Sequence, residues 1–286
     1  MPTAHPVSAL LTDDGLSLQP RDWPLPRPRA RLLLVHGLGE HSGRYARLAE
    51  ELNAAGIAVR AYDHRGHGRS EGPQGGVDEL ARLPRDTMAA FHAYAAEADD
   101  LPFLFGHSLG GLVAMYAVLL MDLAPRGLIA SSPALATHAG GAQRALARTL
   151  SGWWPGLTLR TGLAASRLSH DPHIEREYLE DPLNHSRISA RLAHFIFTGG
   201  PRVVARAASL KTPTLLQFAA DDHLVDPAGA RAFAAAAPQR KLQAHEYLRL
   251  YHEIYNEADP ERSRVVADLL RWLDLQLDKP KRGSQP

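Results

Sequence analysis

The chain has 286 residues, a formal net charge of +1 and no cysteine. This length suits one large α/β domain or two small ones, with a sizeable core. The charge gives no indication of a nucleic-acid partner, and the lack of cysteine excludes disulfides, thiolate chemistry and cysteine-ligated zinc. Residues 1–7 do not pair a basic region with an apolar core, and no run of about 18 apolar residues could span a membrane. We therefore expect a soluble, cytoplasmic protein.

The first predicted elements are a hairpin, a connector and a strand. Residues 7–18 contain the turn signal Asp13-Asp14-Gly15 between two short mixed segments, which predicts a hairpin at the edge of a sheet. Residues 23–29 are rich in proline, so they predict a connector that is not helical. Residues 31–36 are dominated by an unbroken apolar run, as expected of a parallel strand that is covered on both faces.

The loop after this strand begins with two glycines on either side of Leu38. Glycines let the backbone bend sharply, so the amide of Leu38 can point into a neighbouring cavity. We interpret His36 as a structural residue at the strand end that transfers no proton. Glu40 and Arg44 have two open interpretations, because they suit either a surface ion pair or rim groups that meet a polar substrate head.

Two helices and a strand are predicted next. The helices cover residues 47–55 and 77–99, the second kinked near Pro84, and the strand covers residues 57–62. Residues 63–72 are dense in histidine and aspartate, but glycines set their spacing and a third metal ligand is not obvious. We therefore expect a hydrogen-bonded loop below the site and no metal.

The strongest chemical signal is the segment around Ser108. A short apolar run leads through Gly106-His107-Ser108-Leu109-Gly110 into a long apolar run, which predicts a buried strand followed directly by a buried helix. Ser108 must then occupy a sharp turn, where a Cβ at either glycine would meet the facing strand or helix. The amide of Leu109 lies at the helix N-terminus, which favours a developing negative charge. The alternative is a glycine-rich turn with an idle serine, and the strand–helix context favours a nucleophile.

A long insertion separates the two parts of the predicted sheet. Residues 135–209 hold little strand signal and many helix-compatible segments, and such insertions often act as lids. We predict a core of residues 1–134 and 210–286, with a helical cap over residues 135–209. The cap contains Trp153 and Trp154, which suit either packing within the cap or an apolar lip that meets lipid chains or a membrane surface.

The remaining candidates for catalysis follow two late strands. Asp221 and Asp222 come after one of them and His252 after the next. Since the carboxyl ends of parallel strands meet at one edge, these side chains are expected near Ser108. The order serine, acid, histidine fits a triad in which the imidazole takes the serine proton and the carboxylate fixes its tautomer.

Several of these segments together resemble the monoacylglycerol lipase and lysophospholipase group of serine α/β-hydrolases. The core segments that carry the resemblance are residues 36–45, 63–72 and 106–111. Residues 168–171 and 178–183 are similar to the cap of bacterial members. The resemblance covers roughly residues 10–275 and implies an α/β-hydrolase fold, with a mostly parallel central sheet flanked by helices.

The resemblance also implies roles for individual residues. It assigns the nucleophile to Ser108, the base to His252 and the oxyanion hole to the amides of Leu38 and Leu109. Alignment on residues 224–226 selects Asp222 over Asp221 as the acid.

Four further residues match family positions near the substrate. Glu40, Arg44 and His107 match positions that organise the site and its polar-head pocket. Tyr255 stands where the lipase has a histidine that meets the glycerol head, so the head-group preference stays open.

We predict a serine ester hydrolase that acts through an acyl-enzyme on a monoacylglycerol or lysophospholipid-like ester. It needs no metal or cofactor, binds no nucleic acid, and contacts membrane transiently through the cap. The same fold and triad would also serve a carboxylesterase for short acyl esters, a thioesterase, a carbon–carbon bond hydrolase, a perhydrolase or a peptidase, because the cap sets the substrate. An epoxide hydrolase or dehalogenase would need aspartate in place of Ser108, and a binding module would have a broken triad or oxyanion loop.

Overall fold

The computed structural model describes residues 9–278. In chain order its strands are β1 (Leu10–Leu11), β2 (Ser17–Leu18), β3 (Pro20–Trp23), β4 (Ala30–Val35), β5 (Ile57–Tyr62), β6 (Phe103–His107), β7 (Leu128–Ser131), β8 (Thr158–Arg160), β9 (Arg187–Ser189), β10 (Thr214–Ala219) and β11 (Leu242–Tyr247). Its α-helices are α1 (Ala46–Ala54), α2 (Arg82–Ala95), α3 (Leu109–Leu120), α4 (Gly141–Trp153), α5 (Pro172–Glu180), α6 (Ala190–Ala205), α7 (Ala228–Ala236) and α8 (Glu261–Leu277).

The central sheet of the described chain has seven strands in the order β11-β10-β7-β6-β4-β5-β3. All neighbouring pairs are parallel except β3 and β5. The edge strand β3 begins at Pro20, and an edge position tolerates a residue without an N–H donor. The carboxyl ends of the six parallel strands therefore meet at one edge of the sheet, which positions the candidate site.

Helices cover both faces of this sheet, as the alternation of side chains along β4 shows. Leu32 and Leu34 belong to the apolar core that includes α1 and α8 residues, whereas Leu33 and Val35 belong to the core that includes α2 and α3 residues. Successive strand residues point to opposite faces, so an unbroken apolar strand has a helical layer on each side. The predicted fold class is confirmed.

The N-terminal predictions are only partly correct. The strands β1 and β2 form their own antiparallel pair and do not join the main sheet, since β3 occupies its edge. Trp23 ends that edge strand and is not part of the connector. Val7, where the hairpin was expected to begin, lies outside the described residues.

The predicted kink at Pro84 is wrong. Helix α2 begins at Arg82, so Pro84 lies in its first turn. An N–H in the first turn has no partner within the helix, and proline is therefore tolerated there without a kink.

The segment between β7 and β10 contains the helices α4, α5 and α6 and an antiparallel ribbon of β8 and β9. We use the name cap for residues 135–209. Trp153 and Trp154 are 77% and 65% exposed, so packing of these rings within the cap is excluded as their role. Within residues 9–278, no helix has both the length and the apolar character needed to cross a bilayer.

Candidate active site

Ser108 occupies a strained turn between β6 and α3, with φ of 54° and ψ of −119°. The glycines on either side explain why the chain can turn here. A Cβ at Gly106 would lie 2.3 Å from the carbonyl oxygen of Gly110, and a Cβ at Gly110 would lie 2.2 Å from the carbonyl oxygen of Val35. These distances leave no room for a side chain, so strand and helix approach closely and the serine stands at the sheet edge.

Asp222 and His252 form a buried hydrogen-bonded pair at the same edge. His252 Nδ1 lies 2.6 Å from Asp222 Oδ2, and Asp222 Oδ1 accepts hydrogen bonds from the amides of Leu224 and Val225 at 2.8 and 2.9 Å. Burial alone would lower the pKa of His252, but the Asp222 carboxylate raises it above the usual value. Asp221 is exposed and pairs with His223 at 3.1 Å, so it does not contact His252.

Ser108 and His252 both line a cavity of about 610 Å³. No hydrogen bond joins the two side chains in the described part of the chain. Catalytic hydrogen bonds of this kind often form only when substrate is bound. The cap supplies much of the cavity wall as apolar side chains, which are Leu146, Leu150, Leu159, Leu163, Leu168, Ile188, Ile196 and Phe197.

The loop that follows β4 runs directly against the turn at Ser108. A Cβ built on Gly37 would lie 3.2 Å from Ser108 Cβ, and Leu38 and Leu109 both line the cavity. Leu109 is the first residue of α3, where backbone amides lack partners within the helix. The structure therefore brings together the two residues whose amides were expected to bind an oxyanion.

Glu40 and Arg44 form a buried network and not a surface ion pair. Glu40 Oε1 accepts from the amide of Gly37 at 2.5 Å and from the hydroxyl of Tyr45 at 2.6 Å, and Arg44 Nη1 donates to Glu40 Oε2 at 2.6 Å. Arg44 also binds both oxygens of Glu253, at 2.5 and 2.8 Å. Both predicted residues line the cavity, yet their charges are satisfied by each other and by Glu253.

Glu253 is a site residue that the sequence analysis missed. Its carboxylate is buried and directly follows His252 in the chain. Its position next to the candidate base was the one feature of the sequence that could have indicated a role. Its partner Arg44 is 209 residues away in the chain, so the ion pair itself could not be predicted.

His107 lies at the cavity wall and keeps a neutral character. Its Nδ1 is 3.0 Å from Ser131 Oγ, and its ring centroid is 4.8 Å from that of His252. Burial, together with the charge of His252, lowers the pKa of His107 to about 4. It therefore contributes shape and a polar contact near the reacting groups.

Tyr255 does not reach the cavity, so the expected substrate contact is wrong. Tyr255 lies in the short 3-10 helix Ile254–Asn256, is buried, and is not among the residues that line the cavity. The Tyr255 hydroxyl donates to Gln217 Oε1, and its ring packs edge-on against Phe105 at 5.5 Å. The side chain three residues after His252 therefore lies in the core and not at the cavity.

The histidine-rich loop after β5 supports the site from below. His36 Nε2 accepts from the amide of His64 at 2.8 Å, and its Nδ1 lies 2.7 Å from the carbonyl oxygen of Gly37. Asp63 Oδ1 accepts from the amide and hydroxyl of Ser42 at 2.8 and 2.5 Å. His36 is thus a structural residue, and residues 9–278 contain no group of three or more side chains placed to hold a metal ion.

This sheet, the strained serine turn and the cap define a serine α/β-hydrolase of the monoglyceride lipase type. Residues 26–259 match the family described as serine aminopeptidase, S33, and the chain belongs to that family. The resemblance drawn from the sequence is confirmed.

Individual relatives include proteins named as lipases. The monoacylglycerol lipase of Mycolicibacterium smegmatis is 32% identical over 250 residues, covering 86% of this chain and 88% of the relative. The crystal structure of Paleococcus ferrophilus monoacylglycerol lipase superposes with a TM-score of 0.83 at 35% identity, covering 91% of this chain and 99% of that one. An uncharacterized abhydrolase domain-containing protein of Dictyostelium discoideum is 33% identical over 285 residues. This chain is covered to 97% in that alignment and spans 30% of the Dictyostelium protein.

Proposed function

We propose that this protein hydrolyses carboxylic esters with a long acyl chain and a small polar head, of the monoacylglycerol or lysophospholipid type. The observation that carries the proposal is the buried pair of Asp222 and His252 beside the strained Ser108, at the base of an apolar cavity. The relatives that are named monoacylglycerol lipases support the same chemistry.

The reaction begins when His252 Nε2 removes the proton of Ser108 Oγ as this oxygen attacks the ester carbonyl. The Asp222 carboxylate accepts a hydrogen bond from His252 Nδ1–H and stabilises the imidazolium. The negative charge on the carbonyl oxygen is held by the amides of Leu38 and Leu109.

Collapse of this intermediate breaks the ester carbon–oxygen bond, and the imidazolium returns its proton to the leaving alcohol. Water then attacks the acyl-enzyme, with His252 again taking a proton, and the carbonyl–Oγ bond breaks. The fatty acid is released and Ser108 regains its proton.

The size and lining of the cavity favour a long, lipid-like acyl group over a short one. Its volume of about 610 Å³ and its apolar cap residues suit an alkyl chain, since such sites bury most of a ligand's surface. The lining also includes polar residues, among them Glu40 and Arg44 from the loop after β4 and Gln143 and Thr161 from the cap. A polar head next to the ester group would meet Glu40 and Arg44, which lie in the same loop as Leu38.

The exposed edge of the cap supports contact with a membrane surface. Trp153, Trp154 and Leu157 are all exposed, and Leu157 is 42% exposed. Tryptophan is favoured at the interface between lipid and water because its ring is apolar and its N–H is polar. We place this edge against the bilayer from which the substrate is taken.

A substrate panel tests the proposal. Purified protein would be assayed with monoacylglycerols and lysophospholipids of several chain lengths, short p-nitrophenyl esters, an acyl thioester and a peptide amide. We expect the highest kcat/KM on long-chain glyceryl monoesters or lysophospholipids, and a loss of about 10⁴-fold or more in Ser108→Ala. The exposed Ser209→Ala is the matched control, and near-normal turnover in Ser108→Ala would overturn the mechanism.

A further inference from the structure

The β8–β9 ribbon separates two cavities. Leu159 and Ile188 are opposite each other in its register and both line the active-site cavity. Arg160 and Arg187 form the next pair, and both line a second cavity of about 350 Å³. Leu159 also lines the second cavity and Arg160 also lines the active-site cavity, so the arginine pair stands next to both cavities.

The two arginines form an unfavourable pair as they stand. Directly opposite side chains on antiparallel strands have Cβ atoms about 5 Å apart, and like charges there are destabilising. Within the described chain, neither guanidinium forms an ion pair or a hydrogen bond. A ligand with negative charge on several oxygens would turn this repulsion into attraction, because arginine binds such groups through two donors at once.

The second cavity contains no carboxylate to neutralise these arginines. Its other polar lining comes from Gln74, Thr158, Asn184, His185 and Ser186. The amide nitrogen of Asn184 donates to the carbonyl oxygen of Tyr178 at 2.9 Å, while its Oδ1 is buried without a hydrogen-bond partner. The cavity therefore offers an anion cationic and hydrogen-bonding side chains without a competing carboxylate.

His185 connects this cavity to the catalytic loop. Its amide donates to the carbonyl oxygen of Gly39 at 2.9 Å, one residue after Leu38. Its ring nitrogens are already used, by the carbonyl oxygen of Gly66 at 3.0 Å and the amide of Arg187 at 3.2 Å. The positive charge of the cavity therefore comes from the arginines alone.

We infer that Arg160 and Arg187 bind a phosphate group, held beside the ribbon and next to the active-site cavity. The phosphate comes either from the glycerophosphate head of a lysophospholipid or from free inorganic phosphate. The first source rests on the proposed function and selects lysophospholipids among its substrates, whereas the second makes the site independent of the reaction.

Calorimetric titration with inorganic phosphate at constant ionic strength tests the site itself. We expect binding to the wild-type protein, and a loss of affinity of at least about tenfold in Arg187→Gln. Arg148→Gln is the matched control, since Arg148 is an exposed cap arginine outside both cavities. Absence of binding to wild type, or equal binding by Arg187→Gln, would overturn the inference.

Thermal unfolding shows whether the variant is folded, and the direction of the change in unfolding temperature tests the inference independently. In phosphate-free buffer Arg187→Gln should unfold at a higher temperature than wild type, because the opposed charges are relieved. Phosphate should raise the unfolding temperature of wild type but not of the variant. A lower unfolding temperature for the variant in both buffers would contradict the inference.

Kinetics with a matched substrate pair distinguishes the two sources. A monoacylglycerol and the glycerophosphate ester of the same fatty acid are compared. If the lipid head occupies the site, Arg187→Gln raises KM about tenfold for the phosphate-bearing ester only, and inorganic phosphate competes with that ester. If free phosphate occupies it, Arg187→Gln loses phosphate binding while both KM values stay unchanged.

Ser108→Ala separates a failure of this site from a failure of the proposed function. This variant should bind phosphate as wild type does. Retained ester hydrolysis in Ser108→Ala would therefore overturn the proposed mechanism alone, and absent phosphate binding in both proteins would overturn the phosphate site alone.

Discussion

Arg44 and Glu253 form a bidentate ion pair, with nitrogen–oxygen distances of 2.5 and 2.8 Å. This pair connects the loop after β4 to the loop that contains His252. Glu40 holds the other side of Arg44 and also accepts from the amide of Gly37. The loop of the proposed oxyanion hole and the loop of the proposed base are therefore held in one arrangement. A planar guanidinium suits this task, because its paired donors fix direction as well as distance.

Arg44→Lys keeps the charge but loses the paired donors. We expect kcat to fall by about tenfold or more, because small errors in the placement of reacting groups are costly. The change is measured on a p-nitrophenyl ester, with Arg29→Lys as control, since Arg29 forms an exposed ion pair with Asp274. Unchanged kcat would show that the ion pair does not position the base.

Glu253→Gln tests the electrostatic part of the same network. Burial lowers the pKa of His252, while Asp222, Glu253 and Glu40 raise it. Removing the Glu253 charge should lower the pKa of His252. Because the reaction needs neutral imidazole, the acid limb of the kcat/KM profile should move to lower pH. A limb that stays in place or moves upward would contradict the assignment.

Asp222→Asn should reduce kcat by about 10⁴-fold, as expected when the imidazole loses the partner that fixes its tautomer. Asp221→Asn is the natural control, since Asp221 is exposed and pairs with His223. Its activity should stay close to wild type. The reverse result in steady-state assays would transfer the acid role to Asp221.

The buried histidines should make the fold sensitive to acid. Burial, then neighbouring histidines, hold the pKa of both His64 and His67 well below the usual 6.5. Both stay neutral when folded but take up protons when unfolded, so stability is full above about pH 6.5 and falls as pH decreases. Each contributes up to about 1.4 kcal/mol per pH unit.

Denaturant unfolding between pH 7 and 5.5 measures this slope. His64→Leu should flatten it, because both ring nitrogens of His64 lack partners in the described chain and the residue is fully buried. His173→Leu, at an exposed cap position, should leave the slope unchanged. Equal slopes in all three proteins would exclude His64 as a cause of acid sensitivity.

The cap edge should determine binding to lipid vesicles. Trp153→Ser with Trp154→Ser removes two exposed rings without disturbing a packed core, so folding should be unaffected. We expect weaker sedimentation with phosphatidylcholine vesicles, and lower activity on vesicle-embedded monoacylglycerol but not on a soluble ester. Leu248→Ser, an exposed position outside the cap, is the control, and equal sedimentation of all variants would exclude this surface.

The turn at Ser108 could be predicted because its causes are local. A short apolar run is followed at once by a long one, so the chain must bend sharply between strand and helix. The close contacts at Gly106 and Gly110 explain why both positions must be glycine. Asp222 could be favoured over Asp221 only through the family resemblance, since the residues alone offered two adjacent acids.

Relationships between distant segments could not be read from the sequence. The pairing of Arg44 with Glu253 depends on how two strand-end loops meet, and neither residue signals it. Tyr255 was misplaced because one short 3-10 turn redirects its side chain, and β8 and β9 are too short for alternation to reveal them. The exposure of Trp153 likewise follows from how the cap packs and not from its composition.

The central claim is that His252 and Asp222 activate Ser108, and covalent labelling tests it most directly. Folded protein would be treated with a fluorophosphonate and its modified residue located by mass spectrometry. We expect one adduct per chain on Ser108, and its loss in His252→Ala at an unchanged unfolding temperature. Folded wild-type protein that stays unlabelled, or that is labelled at another serine, would contradict the account.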